Sequence, residues 1–232
     1  MVDGKVNRLM YNDIKIIYED NHLLVIEKPI NILSQKDETN DKDVITILKE
    51  YLKEKYNKLG NAYLGLVHRL DRPVGGVMVL AKTSKAASRL SEQIRKNEFE
   101  KIYFAVVHGV LSKKRGTLVN FLLKNKKDNI VKVVSEGTAG AKKAILEYEM
   151  YKNTDRLSWV KIRLHTGRAH QIRVQFASLG HPLYGDQKYG KDKNKVGNQI
   201  ALWSTEITFL HPITKQNVTF KSEPIKDHML SF

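Results

Sequence analysis

Leu66-Val67-His68-Arg69-Leu70-Asp71-Arg72-Pro73-Val74-Gly75-Gly76 sits between two apolar runs, and its reading decides the architecture. Leu64 to Leu70 and Val77 to Ala81 both read as strands. Pro73 cannot donate to a ladder, and the two glycines let the backbone approach a neighbour closely. If the first strand persists, Leu66, His68 and Leu70 share one face while Arg69 and Asp71 share the other. A carboxylate between Arg69 and Arg72 is suited to act as a nucleophile or base. The same spacing also fits a strand-end turn carrying surface ion pairs.

Working outward, Ile14 to Tyr18 and Leu23 to Ile26 predict strands paired across Glu19-Asp20-Asn21. Val44, Ile47, Leu48, Tyr51, Leu52 and Tyr56 follow helical spacing, so Asp43 to about Tyr56 predicts a helix. Ser84 to Lys96 predicts another, with Ala87, Leu90, Ser91 and Ile94 on one face. Ile102 to Val107 predicts a strand buried on both faces. Leu111 to Ser135 holds weaker strands around the basic loop Lys124 to Lys127. Ala144 to Tyr151 and Trp159 to Leu164 predict strands, Ala169 to Leu179 a short helix, and Ala201 to Phe209 with Val218 to Phe220 the last strands. No repeat and no linker-like stretch interrupts them. The expectation is an α+β fold: a mixed, mainly antiparallel sheet with flanking helices. Residues 1–13 read as a polar leader and 14–232 as one domain.

The 232 residues carry 40 Lys and Arg against 25 Asp and Glu, a formal net charge of +15. That excess suits a polyanionic partner, nucleic acid above all, and equally describes a lysine-rich solvated surface. With 41% hydrophobic residues the chain can bury a sizeable core. The absence of cysteine excludes disulfides, thiolate catalysis and cysteine-ligated metals. The N-terminal residues have no apolar core of signal-peptide length, and no apolar run is long enough to span a bilayer. A cytoplasmic protein is expected.

Two further segments carry chemistry. In Leu164-His165-Thr166-Gly167-Arg168-Ala169-His170-Gln171-Ile172-Arg173, Ile172, Phe176 and Leu179 form the helix's core stripe, and Arg173 lies beside it. A guanidinium there needs a carboxylate or phosphate partner, unless it reaches solvent over its aliphatic stem. In Lys101-Ile102-Tyr103-Phe104-Ala105, Tyr103 is either a core tyrosine with a bonded hydroxyl or a ring for stacking on a base. His68, His165, His170 and His181 lack the paired spacing of a zinc protease helix. No phosphate-binding loop, dinucleotide fingerprint or serine elbow is present, so neither cofactor nor metal is expected.

Together the three segments resemble the RluA-type RNA pseudouridine synthases. That family carries His-Arg-Leu-Asp-x-x-Thr-Ser-Gly, then Lys-x-Tyr-x-Ala, then Thr-Gly-Arg-x-His-Gln-x-Arg; the counterparts are His68 to Gly76, Lys101 to Ala105 and Thr166 to Arg173. Glu27-Lys28-Pro29, Gly180 to Asp186 and His211-Pro212 add to the likeness, which runs from about residue 14 to 222. The resemblance implies a pseudouridine synthase fold with a central catalytic cleft and no cofactor. It implies that Asp71 is the catalytic aspartate, Tyr103 the active-site tyrosine that stacks on the target base, and Arg173 the arginine paired with the aspartate. Arg69 matches an arginine that enters the RNA stack, and His68, Arg72, Lys101, Arg168 and His170 are the other expected RNA-binding residues. The partner is RNA, ribosomal or transfer, with no membrane and no obligatory protein partner; a monomer is expected. Some members carry an N-terminal S4 domain, for which no room is expected here.

Val74 and Gly75 depart from the signature's Thr and Ser, so a hydrogen bond bracing Asp71 is expected to be lost or replaced. A non-catalytic RNA-binding or ribosome-assembly protein on the same fold is the alternative, though it would need neither Asp71 nor Arg173. A metal-dependent nuclease using Asp71 with the histidines is a further rival.

Overall fold

Successive side chains of a strand point to opposite faces of its sheet, and β2 (Leu23–Lys28) and β4 (Gly75–Ala81) are apolar on both. Leu24, Ile26, Met78 and Leu80 join one core, while Leu23, Val25, Val77, Val79 and Ala81 join another. Such strands must lie inside a sheet covered on each side. The computed structural model, which describes residues 11–39, 41–57 and 59–224, has that arrangement.

The other strands are β1 (Lys15–Glu19), β3 (Gly65–Leu66), β5 (Glu100–His108), β6 (Arg115–Asn125), β7 (Ile130–Val134), β8 (Lys142–Asn153), β9 (Leu157–Leu164), β10 (Leu202–Leu210) and β11 (Asn217–Lys221). They form an eleven-stranded sheet in the order β1-β2-β4-β10-β5-β9-β8-β6-β7, with β11 also on β10 and β3 on β4. These strands pair antiparallel except β4 and β10, which run parallel with Gly75 opposite Trp203 and Gly76 opposite Ser204. The fold is therefore α+β, a mixed and mainly antiparallel sheet with flanking helices.

Among the described residues three α-helices cover the sheet. α1 (Val44–Lys55) starts where the Asp43 carboxylate accepts the Thr46 amide at 3.1 Å, and it buries Val44, Ile47, Leu48 and Leu52 in the larger core. α2 (Ser84–Arg95) is capped by Thr83 and packs on the opposite face with Ala86 and Leu90. α3 (Gln171–Ser178) places Ile172 and Phe176 in the same core as α1, alongside Tyr103. The α1–α3 face is the one that carries the cleft.

Several expectations need correction. The strand predicted over Leu64 to Leu70 is paired only at Gly65–Leu66, so the expected alternation of His68, Arg69 and Asp71 does not arise. Ser91 is exposed and Gln93 is buried in its place, its amide bonding both polar groups of Leu210. Leu179 is exposed at the end of its stripe. The weak strands of Leu111 to Ser135 are a continuous β6–β7 hairpin. Of the expected leader, residues 1–10 lie outside the described residues, as do 225–232 of the expected domain; Tyr11–Asp13 form a 3-10 turn, and Tyr11 packs on Tyr51 of α1.

Candidate active site

The chain leaves β3 early because a side chain takes over the ladder. The Val79 amide of β4 donates to His68 Nε2 at 3.0 Å, where a backbone carbonyl would otherwise accept. Burial, reinforced by the nearby Lys101 charge, pushes the imidazole down to about 3, so the ring is neutral with its proton on Nδ1. Released from the sheet, Leu70 to Val74 is held from three sides. Ser34 Oγ donates to the Leu70 carbonyl at 2.7 Å and accepts the Leu70 amide at 3.2 Å. Gln199 Nε2 donates to the Pro73 carbonyl at 2.6 Å. The fully buried Lys28 donates to the carbonyls of Pro29, Arg72 and Val74 at 2.9, 3.2 and 2.8 Å.

Burial pushes the Lys28 amine down to about 7 even though the Asp71 charge raises it. These contacts are the bracing that hydroxyls at 74 and 75 do not provide. Gly75 has a further reason: a Cβ there would strike the Trp203 indole. Gly76, at φ +116, would drive a Cβ into the Ser204 backbone. The two glycines thus permit the parallel join of β4 and β10.

On this loop Asp71 meets Arg173. Arg173 Nη1 donates to Asp71 Oδ2 at 3.1 Å, while Nε and Nη2 fork onto Asp186 Oδ2 and Oδ1 at 2.9 and 2.8 Å. The Asp186 side chain has no exposure, that of Arg173 8% and that of Asp71 29%, so the pairing runs from the interior to the cleft wall. Burial works against the Arg173 charge, but Asp186 and then Asp71 more than offset it and raise its pKa. Asp186 feels the same burial and is held below the usual carboxylate range by Arg173 and the amides of Lys188 and Tyr189. One guanidinium therefore fixes one carboxylate inside and aims a second at the cleft.

The cleft encloses about 1070 Å³ and gathers the predicted residues on one wall system: His68, Arg69, Asp71, Arg72, Lys101, Tyr103, Arg168, His170 and Arg173 all line it. Tyr103 is 6% exposed, and burial, reinforced by Asp71, raises its hydroxyl despite the opposing effect of the Ser204 hydroxyl. It stays a phenol. Arg69 is exposed, whereas Arg72 is tied to Asp41 at 2.7 Å and to the Asn31 carbonyl at 3.3 Å. Arg168 is exposed, its Nε donating to the Lys143 carbonyl at 2.9 Å.

His170 caps α3 in the left-handed region, φ 51, with no side-chain cap of the helix. Its Nδ1 lies 2.6 Å from the Tyr189 hydroxyl, which accepts the Val131 amide at 3.0 Å. Burial pushes His170 down to about 4 against the pull of Asp71.

His165 lies 3.2 Å from Glu147, and His181 Nδ1 lies 2.8 Å from the His108 carbonyl. Among the described residues no three His, Asp or Glu come together as a metal-binding group. Asp186, Lys28 and Ser34 had no role in the sequence reading. Asp186 and Lys28 stood within stretches that matched the family, and a fully buried charge shows itself only once its partners are in place.

The chain matches the family described as RNA pseudouridylate synthase over residues 22–178. It is 34% identical to an uncharacterized RNA pseudouridine synthase, YhcT, of Bacillus subtilis over 209 residues, covering 89% of this chain and 67% of that protein. It is 31% identical to ribosomal large subunit pseudouridine synthase D of Zymomonas mobilis over 229 residues, covering 94% of this chain and 72% of that one. Human RNA Pseudouridylate Synthase Domain Containing 4 shares its fold with a TM-score of 0.76 at 22% identity, over 92% of this chain and 90% of that chain.

Proposed function

The chain belongs to the RNA pseudouridylate synthase family, and from that premise we propose that Asp71 is the carboxylate through which it isomerises uridine in RNA to pseudouridine. The reaction breaks the N1–C1′ bond, turns the uracil while it stays bound, and joins C5 to C1′. It releases the C5 proton, and nothing is oxidised. A carboxylate serves it by attacking C1′ or by taking the C2′ proton, and both routes put Asp71 against the ribose.

The observation that carries this reading is the Asp71–Arg173–Asp186 chain: Asp71 is held at 3.1 Å on an arginine whose other nitrogens are fixed inside the fold. Such prior orientation lowers the reorganisation needed in the transition state. Tyr103, kept as a phenol beside Asp71, acts in this reading as the stacking partner of the target base. Arg69, exposed and lining the cleft, acts in the RNA stack left by the extruded uridine. Lys101, Arg168 and His170 face the RNA, while His68 and Arg72 chiefly hold the loop.

Ribosomal RNA is the substrate we favour over transfer RNA, because the Zymomonas relative is named for the large ribosomal subunit. The working unit in this reading is a cytoplasmic monomer with a single catalytic domain. The single domain is supported by one sheet that joins the strands from Lys15 to Lys221; no helix among the described residues is long and apolar enough to cross a membrane. The test is tritium release from RNA carrying 5-tritiated uridine. Asp71→Ala and Asp71→Asn are expected to abolish release while RNA binding survives; release by Asp71→Ala at the wild-type rate overturns the assignment.

A further inference from the structure

Lys101 is 7% exposed, and none of the described residues accepts a hydrogen bond from it or pairs with it. Its aliphatic stem is buried while its amine reaches the cleft, where an ammonium with little water around it favours an anionic partner. Its strand, β5, sends it to the same face as Tyr103 two residues on, a separation of roughly 6.6 Å along a strand. Its Nζ lies 3.5 Å from where a side chain would begin at Gly167, so the missing side chain leaves the amine open to the cleft. The charged groups facing it are cationic or neutral: Arg168 lowers its pKa in addition to burial, no carboxylate restores it, and His68 is uncharged. Arg168 is itself fixed, its backbone amide on Gln171 Oε1 at 3.0 Å and its Nε on the Lys143 carbonyl at 2.9 Å, so its terminal nitrogens are free to turn toward the cleft. Two cations thus converge on a corner without an anion.

We propose that Lys101 and Arg168 together hold a single backbone phosphodiester of the substrate RNA, flanking the uridine that stacks on Tyr103. The proposal rests on the reading of this cleft as the uridine site. An RNA strand brings one kind of anion, the phosphodiester, and Lys101 and Tyr103, on the same face of β5, both line the cleft. The clamp fixes the sugar by its phosphate on one side and its base on the other, which sets the ribose against Asp71. Its role is binding and positioning, not chemistry.

The experiment uses the full chain and RNA oligonucleotides in which one linkage is a neutral methylphosphonate, 5′ of the target uridine, 3′ of it, or several nucleotides away. Affinity is read by fluorescence anisotropy and chemistry by tritium release. Wild type is expected to lose about tenfold in affinity with the neutral linkage at one flanking position and little at the remote one. Lys101→Met is expected to lose part of that affinity on native RNA and to be less sensitive than wild type to the neutral linkage, and Lys101→Met/Arg168→Gln to be insensitive to it, as a double-mutant cycle requires of direct partners. Lys101→Arg should restore most of the affinity. Arg168→Gln, at an exposed position, should repeat the pattern if Lys101→Met folds poorly.

Equal sensitivity of wild type and both variants to the neutral linkage overturns the clamp. So does a variant that responds instead to 4-thiouridine, which would put the amine on the base. The two readouts separate the hypotheses: absent tritium release from wild type with the linkage effect intact counts against the catalytic reading alone.

Discussion

Arg173 joins an exposed carboxylate to a buried one, and the two have different consequences when it is removed. Arg173→Ala leaves Asp186 with no exposure and no charged partner. Breaking one side of such a pair costs roughly 3–5 kcal/mol. In a chain of this size that lowers the melting temperature by about 6–20 °C. The double variant Arg173→Met/Asp186→Leu, which removes both buried charges, is expected to recover much of the melting temperature in calorimetry but none of the tritium release. Recovery of activity with stability would mean that Arg173 serves the fold and not Asp71. Lys28 offers a second measurement. The 13Cε resonance of one lysine should titrate near pH 7 and vanish in Lys28→Met. Asp71→Asn removes the charge that raises this amine, so the midpoint should move down. An unmoved midpoint would disconnect Lys28 from Asp71. Because the folded value lies below the ordinary 10.5, the unfolded chain holds the proton between about 7 and 10.5, and stability rises with pH across that window.

Among the elements, α1 is tied to the sheet edge by one carboxylate. Glu19 of β1 accepts from Tyr51 at 2.7 Å and Lys55 at 2.7 Å, both on α1, and from Tyr56 at 2.6 Å and Lys82 at 2.7 Å. Burial alone would raise its carboxyl, yet these donors, Lys55 and Lys82 foremost, hold it at about 2. Stability worth ~3 kcal/mol is therefore present above pH 4.5 and lost as pH falls toward 2. Glu19→Gln should flatten the fall of melting temperature over that range, while a slope identical to wild type would deny Glu19 this role. Most elements were legible because the unbroken apolar runs of β2, β4 and β5 and the helical spacing in α1 are local properties of the sequence. β3 was overextended because its ladder ends on a histidine side chain, not on a residue of poor strand propensity. Asp71 and Arg173 were legible through their motifs; Asp186 was not, since only the folded chain brings it beneath Arg173. Val74 and Gly75 made sense only with Trp203 and Lys28 in view.

For the whole molecule, charge and cleft act together. Lys36, Arg69, Lys101, Lys124, Arg168 and Lys188 line the cleft of a chain with formal net charge +15. If about six of these meet phosphates, RNA affinity should fall roughly a thousandfold between about 50 and 200 mM salt. The turnover of bound RNA should change little, because Asp71 is held by a buried arginine that salt does not reach. A flat salt dependence in fluorescence anisotropy would contradict an electrostatic footprint of that size.

The sheet order also governs when the site comes into being. Asp71 and Arg173 lie 102 residues apart, and the Ser204 hydroxyl that bonds Val77 lies 127 residues from it. β4 and β5 are neighbours in sequence, but β10 must enter between them before either has its final partner. During synthesis at roughly 5–20 residues per second, the aspartate emerges about 5–20 s before its arginine. β10, which closes the floor beneath Tyr103, follows later still. The growing chain thus lacks the Asp71–Arg173–Asp186 grouping until most of its length has been made.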